Sequence, residues 1–517
     1  MTGASRAATL CKALLGLSTV AVFVFTSTVH EFWRDELQAA LIARAVPLGD
    51  LVHAMRIEAV PPLVYLILKA FGGLPVPYSL SALAPLGYAS LLLGTYRLLL
   101  TVSGSKTRSL VATLALGLTD TYFYELGVVV RQYGLGLGFA LACIGFLGSA
   151  LARRGDESRS DARWGALSGA LAAGTAIHPA CVAGAALLTY SSIRLVQRRA
   201  LAAVVEPLCA LPAFLFLFFL IGPYDRAPVG LAERHPPLVD AMERAGQALA
   251  DGLVCRGWWS DWRQVYAIDT PRLVAMGAAT LALVGLLALR FAALRLDRTR
   301  TVFYAGTLML GAATLSYVFV VRHEGSYRHH LFLVMPALVL GLGVMLRPRP
   351  PREEHGWGLA AFGAIGGCAG VWLAFQYFAC GRDLRGDYSE VLGSAKGASA
   401  AFPRGARVVV AGEDWMAAGI EYYRPDVALR ATSSIGRPIH YQIIDWHWQD
   451  EVPLAALLIE ECEKATPEPI YVIARGEPPK SIAACARLVA SPPSHLPTER
   501  FNIYELPCTC TALATSR

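Results

Sequence analysis

The sequence predicts an α-helical polytopic membrane protein with about 11 transmembrane helices, followed by a C-terminal extracytoplasmic α/β domain. Three observations predict that class. Of 517 residues, 55% are hydrophobic and 16% charged, with mean hydropathy +0.45, whereas a soluble domain carries about 25% charged residues. Apolar runs of about 20 residues recur, each long enough to cross a hydrocarbon core. After residue 378 those runs stop, and short strand-like and helix-like segments alternate.

The first run, residues 9–29, follows Arg6 and Lys12. A cleaved leader has a similar charge pattern, but no small-x-small cleavage site follows, so a retained span is expected. Further spans are expected near 79–101, 109–121, 126–150, 164–178, 180–194, 201–222, 272–290, 301–321, 328–346 and 356–378. Basic clusters lie between them: Arg97/Lys106/Arg108, Arg153/Arg154/Arg159/Arg163, Arg194/Arg198/Arg199, Arg290/Arg295/Arg298/Arg300 and Arg347/Arg349/Arg352. Placing all of them in the cytoplasm satisfies the positive-inside rule with one alternation. These loop residues account for the net charge of +7, and no nucleic-acid partner is required.

The segment PPLVYLILKAFGG, residues 61–73, is apolar but short, and is expected to lie along the outer interface. Counting it as a span would fuse 164–194 into one helix and move two basic clusters outside. The expected organisation is a membrane domain over 1–378, with outer loops at 30–78 and 222–271, and an outer domain over 379–517. The expected location is the inner (plasma) membrane.

In the outer domain, residues 406–414, 440–446, 470–475 and 500–506 read as strands, and 414–423, 451–465 and 478–490 as helices. Such alternation implies a mainly parallel sheet. The chain has 11 cysteines. On this topology Cys255, Cys380, Cys462, Cys485, Cys508 and Cys510 are outside, where an oxidising compartment permits disulfides. At least one structural disulfide is expected, though sequence cannot choose the pairing. Cys143, Cys181, Cys209 and Cys368 read as small core residues of spans.

The outer ends of the spans carry the chemistry. The first span emerges into HEFWRDELQAA, with Asp35 and Glu36 adjacent, and Glu58 follows. These acids suit a helix start. They also suit a general base that takes a proton from an acceptor hydroxyl at the membrane surface. If the donor is a polyprenyl-phosphate sugar, a cation must meet the departing phosphate. Arg131, Arg328 and Lys69 are the candidates, and the same residues also fit snorkelling anchors. Trp258, Trp259 and Trp262 suit either sugar stacking or an interfacial belt. No cofactor is expected. The chain has no D-x-D pair of the kind that holds a divalent ion for nucleotide-sugar transfer, and Glu58 with His178 is the only pairing that suggests a metal.

Four stretches in order, FWRDELQAALIAR, RIEAVPPLVYLILKAFG, VVVRQYGLGLGFAL and AIHPACVAGAALL, resemble the membrane GT-C glycosyltransferases. They are most similar to bacterial members of the protein O-mannosyltransferase and aminoarabinose transferase type, over about residues 9–345. The shared pattern is Asp35-Glu36, then Glu58 before Pro61-Pro62, then Arg131-Gln132-Tyr133. One departure is Val60, where the family's pattern has His or Lys just before proline.

The resemblance implies an inverting hexosyl- or pentosyltransferase that uses a polyprenyl-phosphate-linked sugar outside the cytoplasm. The acceptor would be a glycan, lipid or protein of the cell envelope. It implies Asp35 as the catalytic base or an acceptor-orienting acid, with Glu36 and Glu58 as neighbouring acids. Arg131 would lie near the lipid phosphate, and Tyr133, His178, Arg328 and Lys69 would serve substrate binding. The competing readings are a transporter or flippase for a lipid-linked glycan, an O-antigen polymerase or ligase, and a non-catalytic scaffold. A transporter predicts internal repeats and charges buried in mid-span, and no repeat is evident. The polymerase or ligase reading lacks the early Asp-Glu.

Overall fold

The computed structural model describes residues 3–28, 34–52, 55, 60–75, 77–119, 126, 131–197, 199–221, 297–321, 327–347, 401–412, 418–432, 452–464, 469–491 and 501–509. The spans expected at 272–290 and 356–378, the strand at 440–446, the 222–271 loop with its tryptophans, Glu58, Cys255, Cys368, Cys380 and Cys510 lie outside the described residues. So do the side chains of Asp35 and Arg328.

In chain order the helices are α1 (Gly3–Thr28), α2 (Arg34–Ala45), α3 (Leu63–Ala70), α4 (Tyr78–Ser81), α5 (Leu83–Ser103), α6 (Lys106–Thr119) and α7 (Gln132–Ala152). There follow α8 (Gly155–Ala173), α9 (Ile177–Val196), α10 (Ala200–Leu208), α11 (Leu211–Ile221), α12 (Arg298–Val321) and α13 (Tyr327–Met345). The C-terminal stretch holds β1 (Arg407–Ala411), α14 (Ala418–Tyr423), β2 (Ala428–Ala431), α15 (Leu454–Glu463), β3 (Ile470–Ala474), β4 (Arg487–Ala490) and β5 (Asn502–Leu506). Two compact units result. One holds Met1–Phe25, Ala59–Leu63 and Leu83–Gly381; the other holds Thr26–Glu58, Val64–Ala82 and Arg382–Arg517.

In the first unit, four helical stretches are long and apolar enough to cross a membrane among the described residues: Thr9–Thr28, Tyr78–Ser103, Gln132–Ala152 and Ile177–Val196. Small residues set their packing. A Cβ on Gly94 of α5 would collide with the Gly138 carbonyl of α7, and one on Gly138 would collide with the backbone of Ser90. Backbones approach this closely only where side chains are absent, and dispersion then holds the pair in an apolar solvent. Gly104, at φ 70, ends α5 by turning left-handed, and its N–H bonds the Leu100 carbonyl at 2.9 Å.

Several boundaries differ from expectation. The stretch 164–194 is two helices, as the chosen topology requires, but α8 begins at Gly155, in charged sequence. Asp156 and Glu157 suit the positive end of the helix dipole there. The run at 201–222 is two helices, α10 and α11. Pro207 lies in the last turn of the first, where proline removes a backbone donor and crowds the preceding turn. Cys143 is buried as expected, but Cys209 at this break is exposed.

In the second unit, α3 is only eight residues long, about 12 Å, and does not span. The C-terminal sheet has the order β2-β1-β3-β5-β4. Strand β1 pairs in parallel with β2 and β3, while β5 pairs antiparallel with β3 and β4. Among the described strands the sheet is therefore mixed, with two parallel and two antiparallel pairings. The helix expected at 478–490 is instead a turn leading into edge strand β4, because Pro478-Pro479 breaks a helix and the Arg487–Ala490 run pairs with β5. Strand β2 was not expected from the sequence. Val409, Ile470, Val472, Tyr504 and Leu506 form the core with Leu457 and Leu458 of α15. Cys462 and Cys508 form the expected disulfide, with Cα atoms 5.4 Å apart. Cys485 is also disulfide-bonded.

Candidate functional site

Within the first unit, three helices begin at one end, and their first turns carry the sequence candidates. Arg131 is the extended residue that caps the start of α7. Its Nη1 donates to the Tyr133 hydroxyl at 3.4 Å, and its guanidinium carbon lies 5.3 Å from the centre of that ring. Tyr133 meets Phe332 of α13 edge-on at 6.2 Å, and His178 in the first turn of α9 stacks on the same Phe332 at 5.7 Å. Arg131, Tyr133, Phe332 and His178 thus form one continuous set. Tyr133 and His178 are buried, which fixes the ring against which the arginine rests.

The contacts of Tyr133 and His178 with Phe332 bring the starts of α7, α9 and α13 together. Phe332 was missed, since an isolated phenylalanine in an apolar helix carries no signal. It lies one turn along α13 from Arg328, the other expected cation. The arrangement offers a guanidinium over the Tyr133 ring beside three helix N-termini, whose backbone N–H groups favour an anion.

The acids belong to the second unit. Asp35 is in the first turn of α2, and the adjacent Glu36 is fully buried. Lys69 of α3 directs its ammonium to the Ala43 carbonyl at 2.8 Å, so it caps the C-terminal end of α2. Arg44 of α2, not singled out from sequence, donates to the main-chain oxygens of Glu421 and Tyr422 at 3.0 and 3.3 Å. The Tyr422 hydroxyl shares a hydrogen bond with Ser79 at 3.3 Å. The helix carrying Asp35 and Glu36 is therefore fastened both to α3 and to the C-terminal fold. Burial pushes the Glu421 carboxyl up to about 7, and the neighbouring Arg44 guanidinium draws it back only in part. Among the described residues, no group of three His, Cys, Asp or Glu side chains is placed to hold a metal ion.

No family model and no curated protein matches the chain. Among solved structures it is similar to ArnT from Cupriavidus metallidurans. The form bound to undecaprenyl phosphate aligns with TM-score 0.57 at 12% identity, over 97% of this chain and 98% of that chain. The apo form aligns with TM-score 0.59 at 13% identity, over 95% of this chain and 97% of that one. At this identity the likeness shows the fold alone: the chain shares the architecture of that solved structure.

Proposed function

We propose that the chain is an integral membrane glycosyltransferase that moves a sugar from a polyprenyl-phosphate donor to an acceptor hydroxyl on the outer face of the inner membrane. The observation that carries this reading is the Arg131–Tyr133–Phe332–His178 set at the starts of three helices. A polyprenyl chain belongs among apolar helices, and its phosphate then lies at their ends, where a guanidinium and helix N-termini favour negative charge. The fold likeness to ArnT, solved with undecaprenyl phosphate bound, supports the same ligand class.

In this reading Asp35 accepts the proton of the acceptor hydroxyl as its oxygen attacks the anomeric carbon. The bond from that carbon to the phosphate oxygen breaks, inverting the centre, and Arg131 stabilises the polyprenyl phosphate that leaves. Tyr133, packed on Phe332, holds the guanidinium in place, and His178, also packed on Phe332, closes the set. Glu36 and Glu58 act as neighbouring acids, and Arg328 as a second cation. The acceptor is a glycan, lipid or protein, and the donor sugar a hexose or pentose. An extracytoplasmic C-terminal domain is supported by the cysteines: Cys462 and Cys508 are paired there, while the described free thiols Cys11, Cys143, Cys181 and Cys209 all belong to the helical unit.

The test is a mass comparison of cell-envelope glycans, glycolipids and glycoproteins from cells with the protein, without it, and with Asp35→Asn. The expected result is one glycosylated species that disappears with the protein and is not restored by Asp35→Asn. Identical envelopes in all three, or full restoration by Asp35→Asn, would overturn the reading.

A further inference from the structure

At the opposite end of α7 from Arg131, a second basic cluster is built into the first unit. Gly148 of α7 lies against the Tyr304 hydroxyl of α12, so closely that a Cβ there would collide with it. Sixteen residues separate Gly148 from the start of α7, about 24 Å along the helix, so this cluster is separate from the Arg131 set. Arg97, Arg300 and Arg347 all lie within electrostatic reach of Tyr304, and Arg300 and Arg347 within reach of each other. Arg300 and Tyr304 share one face of α12, four residues apart in its first turns. Arg347 follows the end of α13, which is held beside α5 by Gly343 against Val102 and beside α6 by Arg108 donating to the Leu346 carbonyl at 3.1 Å.

Among the described residues the positive charge there is not balanced. Asp161 accepts from Arg97 at 2.8 Å and from Ser149 at 2.6 Å and also faces Arg153 at 3.4 Å, so its oxygens are already engaged. Among the described residues no carboxylate pairs with Arg300 or Arg347. Four buried atoms in the cluster have no hydrogen-bond partner: Arg97 Nε, Arg300 Nε, Arg347 Nη1 and the hydroxyl of Tyr304, a residue 2% exposed. All four can donate. A buried donor left unpaired is costly, and guanidinium groups gathered without a counterion repel. Water could accept the hydrogen bonds but would leave the charge. A tetrahedral oxyanion answers both needs, since its several oxygens accept from diverging donors while its charge offsets the arginines.

We propose that Arg97, Arg300 and Arg347, with the buried Tyr304 hydroxyl among them, form a second anion site that takes a phosphate group, at the membrane end opposite the Arg131 set. The site lies where helices of membrane-spanning length end, so a phosphate-bearing lipid headgroup can reach it directly. Free phosphate has the same recognition chemistry.

The test uses the full-length chain in neutral detergent, with bound ligand counted by intact-mass measurement. Three probes are titrated: a short-chain phosphatidylglycerol, inorganic phosphate, and phosphatidylcholine, whose headgroup is zwitterionic. The expected result is saturable binding of at least one of the two anionic probes. Arg300→Gln and Arg347→Gln each weaken it about tenfold or more, as loss of a charge-assisted hydrogen bond implies, and the exposed Arg163→Gln leaves it unchanged. Tyr304→Phe keeps ring packing and removes only the hydroxyl, so it must also weaken binding if the arginine variants fold poorly. Response to phosphatidylglycerol alone identifies a headgroup site, and response to inorganic phosphate as well identifies a general phosphate site. Binding that is equal in wild type and Tyr304→Phe, or absent with both anionic probes, overturns the proposal.

Discussion

Arg44 and Glu421 are joined across 377 residues of sequence: the Arg44 Nη2 donates to the Glu421 main-chain oxygen at 3.0 Å and approaches its carboxylate at 3.5 Å. The same guanidinium bonds the Tyr422 carbonyl. One side chain thus satisfies the last carbonyls of α14 and ties the helix bearing Asp35 to the C-terminal fold. Arg44→Gln leaves those acceptors without a charged donor, and each such loss costs about 1–3 kcal/mol. Lower unfolding temperature, with turnover falling more than the loss of folded protein explains, is the expected outcome. Unchanged turnover per folded molecule would make the tie purely structural.

Glu421 gives this unit a pH dependence. Its carboxyl is raised by burial from an ordinary 4.5 to about 7, so folding favours the protonated form. The contribution is fully present below the unfolded value, and is lost as pH rises from about 4.5 through about 7. One proton limits the slope to about 1.4 kcal/mol per pH unit. Denaturant unfolding at a series of pH values should show this fall, and Glu421→Gln should flatten it.

The Cys462–Cys508 disulfide closes a loop with a sequence separation of 46 residues. Chain entropy assigns such a crosslink about 4 kcal/mol. The paired change Cys462→Ser with Cys508→Ser should lower the stability of the C-terminal unit by roughly that amount in denaturant titration. The helical unit, whose described cysteines are free, should unfold as before.

Packing at the α5–α7 crossing predicts a different failure. Gly138→Val forces bulk into the backbone of Ser90, and overpacking of this kind costs about 1–3 kcal/mol or more. Because Gly138 lies two turns from Arg131, the substitution should weaken donor use together with thermal stability. A thermal melt in detergent alongside a donor titration checks both.

Much of this was legible in the sequence because membrane solvent imposes simple rules. Span-length apolar runs made α1, α5, α7 and α9 legible. Arg131, Tyr133 and His178 stood out as polar residues at helix starts, and the structure brings them together. Phe332 and Arg44 were not legible: one looks like any lipid-facing aromatic, and the other pairs with main-chain oxygens that have no side-chain signature. Strand β4 was hidden because RLVA has no more strand character than many helices, and only its pairing with β5 makes it a strand. The break between α10 and α11 did carry a signal, Pro207, which the surrounding apolar run outweighed.

The most direct measurement is polyprenyl phosphate release by purified full-length protein in liposomes containing polyprenyl-phosphate-linked sugars and envelope acceptors, normalised to folded protein. Wild type should release polyprenyl phosphate in an acceptor-dependent manner and should ignore nucleotide sugars. Asp35→Asn keeps shape but cannot accept a proton, and should lower kcat about 100- to 10,000-fold. Arg131→Gln should chiefly raise the donor KM. Wild-type turnover by Asp35→Asn, or turnover of a nucleotide sugar with the lipid-linked donor untouched, would contradict the account.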